Sequence, residues 1–299
     1  MKPLLSRIAL CLLAFVLAAK VSAQDTATLH NQLAGVYGVW RDSMVTRNLS
    51  RWQANTSHRR QVVVKNRIYS ERGSFPAALF ALPVAPPSLR SLKSMQVKLK
   101  GATAKIVYFG KVDFGVGGAP SDNLLVLDFV NENGRWKYDN AEFVNISALK
   151  GVREQLKKGD LKFLASPDFL PSGKVAPTPI AVNGPVKYIA KAYVYCPGRE
   201  VQLQINRISR HLFQNTKKAE VISGGARDGR NDVQFAIKSL PGSMGTEPMA
   251  IRVYLLSEIQ GVKPVMILDY EVKEKEKPKA NGTMNFVVGP AAAKAAKGR

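Results

Sequence analysis

Near the start of the chain, apolar side chains recur at spacings of three and four residues. This period places them on one face of a helix, so the pattern predicts an amphipathic helix that packs on a core. The stripe consists of Leu33, Val36, Tyr37, Trp40 and Met44. We expect a short second helix at residues 48–52 and a third segment at 57–64, whose β-branched valines leave helix and strand both open.

From residue 92 the pattern changes to that of β-strands, predicted at 92–100, 103–114, 123–132 and 135–146. Asn133-Gly134 separates the last two. This pair predicts a two-residue type I′ hairpin turn, because both turn positions need a positive φ.

The hairpin register assigns a role to each face of the predicted sheet. One face carries large apolar and aromatic side chains together with Asn140 and Glu142, and we expect it to pack on the helices. The other face carries Asp128 directly opposite Asp139, and two opposed carboxylates are costly to bury. We therefore expect that second face to be the wetter one. The predicted inner face comprises Leu125, Leu127, Phe129, Trp136 and Tyr138.

Short strands and turns dominate the second half of the chain. Apolar and polar residues alternate there, as in Val201 to Asn206, which is the pattern of a β-sandwich. The pattern resembles immunoglobulin-like or jelly-roll modules. Strands are predicted at 187–196, 200–206, 218–223, 232–238, 249–257 and 263–272.

The first residues have the features of a cleavable signal peptide. Lys2 and Arg7 precede an apolar run that ends before the small residues Val21-Ser22-Ala23. The run is too short to anchor the chain in a bilayer, so we expect no integral membrane segment after cleavage near Ala23. The sequence thus predicts a secreted or periplasmic protein.

Composition divides the rest of the chain. Prolines and turn residues mark a linker, and the basic C-terminal segment has few bulky apolar groups to offset its ordering entropy, so we expect it to be disordered. The predicted segments are a signal peptide at 1–23, an α+β domain at 24–164, a proline-rich linker at 165–186, an all-β sandwich at 187–272 and a basic tail at 273–299.

The order of a long helix, a short helix, a third segment and four long strands resembles the superfamily of nuclear transport factor two and ketosteroid isomerase. The resemblance covers about residues 28–147 and rests on the stripe from Leu33 to Trp40 followed by residues 48–52. It implies a cone-shaped α+β fold, in which helices and a curved antiparallel sheet enclose a pocket. The candidate pocket lining is Trp40, Tyr138, Asn140 and Glu142.

The resemblance leaves two interpretations of that lining. In isomerases a carboxylate acts as general base and a tyrosine as neutral donor, which Glu142 and Tyr138 match by residue type. In the other interpretation Glu142 pairs with a neighbouring cation and Tyr138 is a core residue. No diagnostic catalytic motif is present, so we assign no catalytic residue.

Other chemistry finds little support in the residues present. The three histidines, His30, His58 and His211, are far apart in sequence and no cysteine or carboxylate cluster accompanies them, so no metal site or cofactor is expected. Residues 115–118 are glycine-rich but lack the following helix that a phosphate-binding turn needs. Cys196 is the single cysteine outside the signal segment and is expected to be a buried thiol.

Charge decides which partners are considered. The chain has 44 basic and 22 acidic residues, a net charge of +22, which favours anionic partners through an attraction that salt weakens. The basic residues are spread along the chain, so specific recognition of nucleic acid is not expected.

We therefore predict an exported, non-catalytic binding protein that contacts an envelope component or a partner protein. Two alternatives remain open. One is a small-molecule isomerase or lyase that uses the N-terminal pocket. The other is a polyanion-binding protein that captures acidic glycan, lipid or another polyanion through its basic surface and tail.

Overall fold

The computed structural model describes residues 25–113 and 119–297. The predicted signal peptide and the glycines at 115–118 lie outside the described residues. The chain is a mixed α+β protein that forms two compact units. The N-terminal unit contains the described residues up to Gln61 together with Phe80–Pro177. The C-terminal unit contains Val62–Leu79 and the described residues from Thr178 onward.

Three helices begin the described chain: α1 at residues 25–45, α2 at Leu49–Asn55 and α3 at His58–Ser70. The predicted stripe of α1 is confirmed, since Leu33 and Tyr37 are at most 1 % exposed. The side chain of Asn48 accepts the backbone N–H of Arg51 and so caps α2. The third segment, left open between helix and strand, is a helix.

Four antiparallel strands form the sheet of the N-terminal unit, in the order β1-β2-β3-β4. Asn133 and Gly134 have φ angles of 54° and 80°, which confirms the predicted two-residue turn. Phe129 pairs with Tyr138, which is the register that a two-residue turn sets. The strands are β1 Lys93–Lys100, β2 Thr103–Val112, β3 Ser121–Glu132 and β4 Arg135–Asn145.

Beyond this pair the register of the hairpin shifts by one residue. Asp128 pairs with Asn140, so Asp139 is the extra residue of a β-bulge. The predicted pairing of Asp128 with Asp139 is wrong. Because side chains alternate between faces, the shift also moves Asn140 and Glu142 to the face opposite the one we predicted.

Both faces of this sheet are covered by other elements. One face packs on α1 through Leu125, Leu127 and Phe129, as predicted. The other face packs on helix α4 at Lys150–Lys157 and on the short 3₁₀ segments that follow it. The expectation of a wet second face is wrong. Leu124 and Val126 are on the same face as Asp128, and α4 and these segments bury them.

The C-terminal unit contains two four-stranded antiparallel sheets, in the orders β11-β10-β5-β8 and β12-β9-β6-β7. Alternate residues of both sheets meet in one core cluster, as their sequence pattern predicts. The strands are β5 Ile189–Tyr195, β6 Arg199–Ile205, β7 Ser209–Gln214, β8 Lys217–Val221, β9 Gly229–Ser239, β10 Met249–Leu256, β11 Val265–Val272 and β12 Asn281–Val288.

The prediction of a disordered tail is wrong for most of its length. Strand β12 pairs with β9 along eight residues, and Phe286 and Val288 are at most 3 % exposed in the core. Helix α5 at Pro290–Ala296 follows and buries Ala296. Two or three bulky apolar side chains at alternating positions are enough to hold a strand when a partner strand is in place.

The predicted linker is divided between the units. Residues up to Pro177 belong to the N-terminal unit and bury Phe169, while those from Thr178 belong to the C-terminal unit. There the side chain of Asn66, on α3, donates to the carbonyl of Ile180 and accepts the N–H of Val182. The part of α3 from Val62 onward thus belongs with the C-terminal strands, whereas the sequence analysis assigned it to the first domain.

Candidate functional site

The predicted pocket region of the N-terminal unit is filled by aromatic rings. Trp40 on α1 stacks on Tyr138 with ring centroids 4.0 Å apart, and Tyr37 lies 6.0 Å from Tyr138. Burial raises the pKa of Tyr138 well above its ordinary value and raises that of Tyr108 to about 12. These phenols stay protonated across the ordinary pH range and act here as core side chains.

The structure does not bring the four predicted lining residues together. The bulge places Asn140 and Glu142 on the sheet face opposite Tyr138, beside Asp128. Asn140 donates to Glu142 at 3.3 Å, and Lys105 pairs with Asp128 at 3.1 Å. Burial raises the pKa of Asp128, and Lys105 partly opposes that shift. Trp40 remains with Tyr138.

Asp139 holds the start of α3 instead of facing water. It is 9 % exposed, accepts the hydroxyl of Ser57 and pairs with Arg59 at 3.1 Å. The oxygen of Ser57 accepts the N–H of Arg60 and so caps α3. Both carboxylate oxygens are thus engaged in fixing the helix against the bulge.

An open groove of about 570 Å³ lies on the outer face of sheet β12-β9-β6-β7 in the C-terminal unit. This volume is within the roughly 300–1,000 Å³ typical of small-ligand sites. The groove forms because Ala236, a short side chain, lies between longer neighbours on adjacent strands. Its lining consists of Gln202, Leu203, Gln204, Arg210, His211, Leu212, Gln234, Phe235 and Ala236.

A row of polar side chains crosses all four strands, and its members on β7, β6 and β9 line the groove. Strand register makes Arg210, Gln204, Gln234 and Thr283 successive cross-strand neighbours. Neighbouring strands are about 4.8 Å apart, so hydrogen-bonding groups recur at that interval. Carboxamides both donate and accept, whereas Arg210 only donates. The groove therefore suits an extended polar ligand.

A second arrangement joins the two sheets at their β7 and β8 edges. Ser209 Oγ lies 2.7 Å from His211 Nε2, and His211 Nδ1 lies 2.8 Å from Glu220 Oε2. The order of hydroxyl, imidazole and carboxylate is that of a nucleophilic triad. Ser209 is only 1 % exposed, however, and its oxygen accepts the N–H of Ser223. The group serves as a link between strands.

The link has a clear electrostatic signature. The hydrogen bond from His211 lowers the pKa of Glu220 to about 2, and Lys218 adds to the shift. The sequence analysis missed this partner of His211, because Glu220 lies in the other sheet.

A buried arginine closes one end of the same two-sheet core. Arg199 is fully buried, and its guanidinium nitrogens have no hydrogen-bond acceptor among the described residues. Its nearest carboxylate oxygen is Glu247 Oε2 at 3.7 Å, in the loop between β9 and β10. Burial raises the pKa of the neighbouring Cys196 thiol, which disfavours the reactive thiolate.

The sequence contained part of the signal for the groove. The glutamines at 202, 204 and 234 occupy the polar positions of alternating strands, and alternation directs them away from the core. Their assembly into one row could not be predicted, because it depends on which strands are neighbours.

In the parts of the chain that the structure describes, no three metal-ligating side chains cluster and no helix is long and apolar enough to cross a membrane. Comparisons with protein-family models, curated proteins and solved structures found no match for this chain.

Proposed function

We propose that this chain is an exported, non-catalytic binding protein of the cell envelope, and that the groove on sheet β12-β9-β6-β7 holds its ligand. In this proposal the N-terminal unit is a cone-shaped module of the nuclear-transport-factor-two type and the C-terminal unit is a β-sandwich. The signal-like residues 1–23 support export.

The observation that carries the proposal is the row of polar side chains in the groove. Long hydrogen-bonding side chains surround the short Ala236, and none of the groove's outward side chains is needed for the core beneath it. Leu212 is 55 % exposed at the rim and offers an apolar contact. Few convergent polar groups around a concave surface are the usual basis of ligand orientation.

The isomerase or lyase alternative has less support than binding. Its proposed base, Glu142, is exposed on one face of the sheet, and its proposed donor, Tyr138, is 2 % exposed on the other. A base and a donor that act on one substrate must reach the same pocket. The polyanion alternative is weakened because most of the tail is part of strand β12 and helix α5 and is not a free basic segment. The excess of basic over acidic residues still supports it.

The test is solution NMR of the purified protein with three separate probes: neutral oligosaccharides, short uncharged peptides and phosphatidylethanolamine micelles. We expect one probe to shift the amide resonances of residues 202–204 and 234–236. Ala236→Phe fills the groove and should abolish these shifts, while Gln234→Ala should weaken binding several-fold.

Gln214→Ala is the matched control, since Gln214 is on the same outer face but does not line the groove. The proposal fails if no probe perturbs the groove resonances, or if Ala236→Phe and Gln214→Ala behave alike. Sequencing of the mature N-terminus from the producing cell tests export separately, with cleavage after Ala23 as the expected result.

A further inference from the structure

The outer face of the other sheet, β11-β10-β5-β8, carries tyrosines and cations that neither the groove nor the core uses. Ala190, Ala192 and Val194 of β5 are fully buried in the core. The residues between them point to the opposite side of the strand. These outward residues are Lys191, Tyr193 and Tyr195.

Strand register places one cation directly beside each tyrosine of this face. Tyr195 is opposite Lys217 on β8, and Tyr193 is opposite Arg252 on β10. Tyr254 on β10 is in turn opposite Lys191. Side chains directly opposite one another have Cβ atoms about 4.5–5.5 Å apart, so rings and charges alternate across the face. All three tyrosines are partly exposed.

The free positive charge is confined to one half of the face. Arg252 donates to Asp269 at 2.8 Å and to Glu271 at 3.4 Å, so the cation of the β10–β11 half is paired and the two carboxylates outnumber it. Lys191 and Lys217 have no carboxylate within ion-pairing distance among the described residues. The β5–β8 half therefore combines two unpaired ammonium groups with Tyr193 and Tyr195, which lie about 7 Å apart along one strand.

We propose that the tyrosine–lysine face, formed by Lys191, Tyr193, Tyr195 and Lys217, binds an acidic polysaccharide. The apolar C–H side of a sugar ring packs on a tyrosine ring, while sugar hydroxyls reach the phenol. Uronate carboxylates accept hydrogen bonds from the two ammonium groups. The chain's net charge of +22 attracts such a polymer from a distance. This site lies on a different sheet from the groove and does not depend on the groove's ligand.

The test is calorimetric titration of the purified protein with oligogalacturonate, with neutral dextran oligomers and with oligothymidylate, each at low and at high salt. Oligogalacturonate should bind at low salt and weaken as salt is added. Replacing both rings in Tyr193→Leu/Tyr195→Leu should weaken binding about tenfold or more, by analogy with the loss of aromatic stacking platforms. Lys191→Gln/Lys217→Gln should weaken it about fivefold and flatten the salt dependence.

Lys98→Gln/Lys238→Gln is the matched control, because it removes the same charge from exposed strand positions elsewhere. Equal losses in this control and in the Lys191/Lys217 variant would mean non-specific attraction and would overturn the proposal. Tighter binding of oligothymidylate than of oligogalacturonate would assign the face to nucleic acid and also overturn it. Loss of oligogalacturonate binding in Ala236→Phe would move the glycan to the groove, which supports the proposed function and refutes this site. Circular dichroism melts confirm that each variant is folded.

Discussion

Side chains alternate between the two faces along the whole of strand β6 in the C-terminal unit, but this alternation is interrupted in strand β4 of the N-terminal unit. In β6, Val201, Leu203 and Ile205 are all buried, as alternation predicts. In β4 the rule holds from the turn to Tyr138 and then fails at Asp139. The difference is the side chain of Asp139, which is nearly buried because its carboxylate is bound by Ser57 and Arg59.

The largest effect is expected from removing that polar side chain. Asp139→Ala leaves the guanidinium of Arg59 and the hydroxyl of Ser57 without their acceptor, and it removes what favours the bulge. We expect a loss of about 2–3 kcal/mol in the free energy of unfolding, measured by urea denaturation. Asp42→Ala, at an exposed position of α1 in the same unit, is the control and should not lower stability by more than about 0.5 kcal/mol.

A double-mutant cycle with Arg59→Ala sharpens the assignment. If the pair acts as described, the two losses are strongly non-additive. Additive losses would mean that Asp139 and Arg59 do not stabilise the fold through each other, and the role given to Arg59 in the register shift would be wrong.

The second largest effect concerns the one charged residue that β6 directs into its core. Glu247→Gln leaves Arg199 buried without a counter-charge, so we expect it to lower the free energy of unfolding. Arg199→Met removes the buried charge and keeps much of the volume, so it should cost far less or raise stability. Thermal and urea unfolding of both variants test the contrast. Equal destabilisation by the two would show that the pair of Arg199 with Glu247 is a net source of stability, which contradicts the expected contrast.

Much of the architecture follows from the sequence because it depends on local spacing. The α1 stripe, the Asn133-Gly134 turn and the alternation of the C-terminal strands are each set by residues close in sequence. The bulge was not predictable in this way, since Asp139 is held by Ser57 and Arg59, about eighty residues earlier. The predicted pocket lining was wrong for the same reason, because the one extra residue turns Asn140 and Glu142 to the face opposite Tyr138.

The tail and the groove illustrate the same limit. Strand β12 carries few bulky apolar residues, and its order depends on β9, some fifty residues earlier. Alternation alone directs Gln204 and Gln234 away from the core, but their adjacency depends on the pairing of β6 with β9. Sequence reasoning thus predicted directions of side chains and missed the partners that long-range pairing supplies.

A smaller effect separates a glycine that the hairpin needs from one that it does not. Gly134 has a φ of 80°, where a Cβ is strained, so Gly134→Ala should lower the free energy of unfolding by about 1 kcal/mol. Gly151 lies in helix α4 with open space around it, and Gly151→Ala should raise stability by about 0.5–1 kcal/mol. Chemical denaturation of both variants should give opposite signs. The same sign in both would contradict the type I′ turn or the helix.

The smallest expected effect is a pH dependence at the link between β7 and β8. The folded pKa of Glu220 is about 2 against an ordinary value of 4.5, so between these values the unfolded chain binds more protons than the folded one. The stabilisation from Glu220 is therefore present above about pH 4.5 and is lost as the pH falls towards 2. Partial exposure of the carboxylate keeps the effect modest. His211→Gln removes the main cause of the shift, so its melting temperature should fall less steeply with acid than that of the parent chain. His58→Gln, at the start of α3 in the other unit, is the control, and its melting temperature should depend on pH as that of the parent chain does. The same pH dependence in all three proteins would show that the contact with His211 does not control the pKa of Glu220.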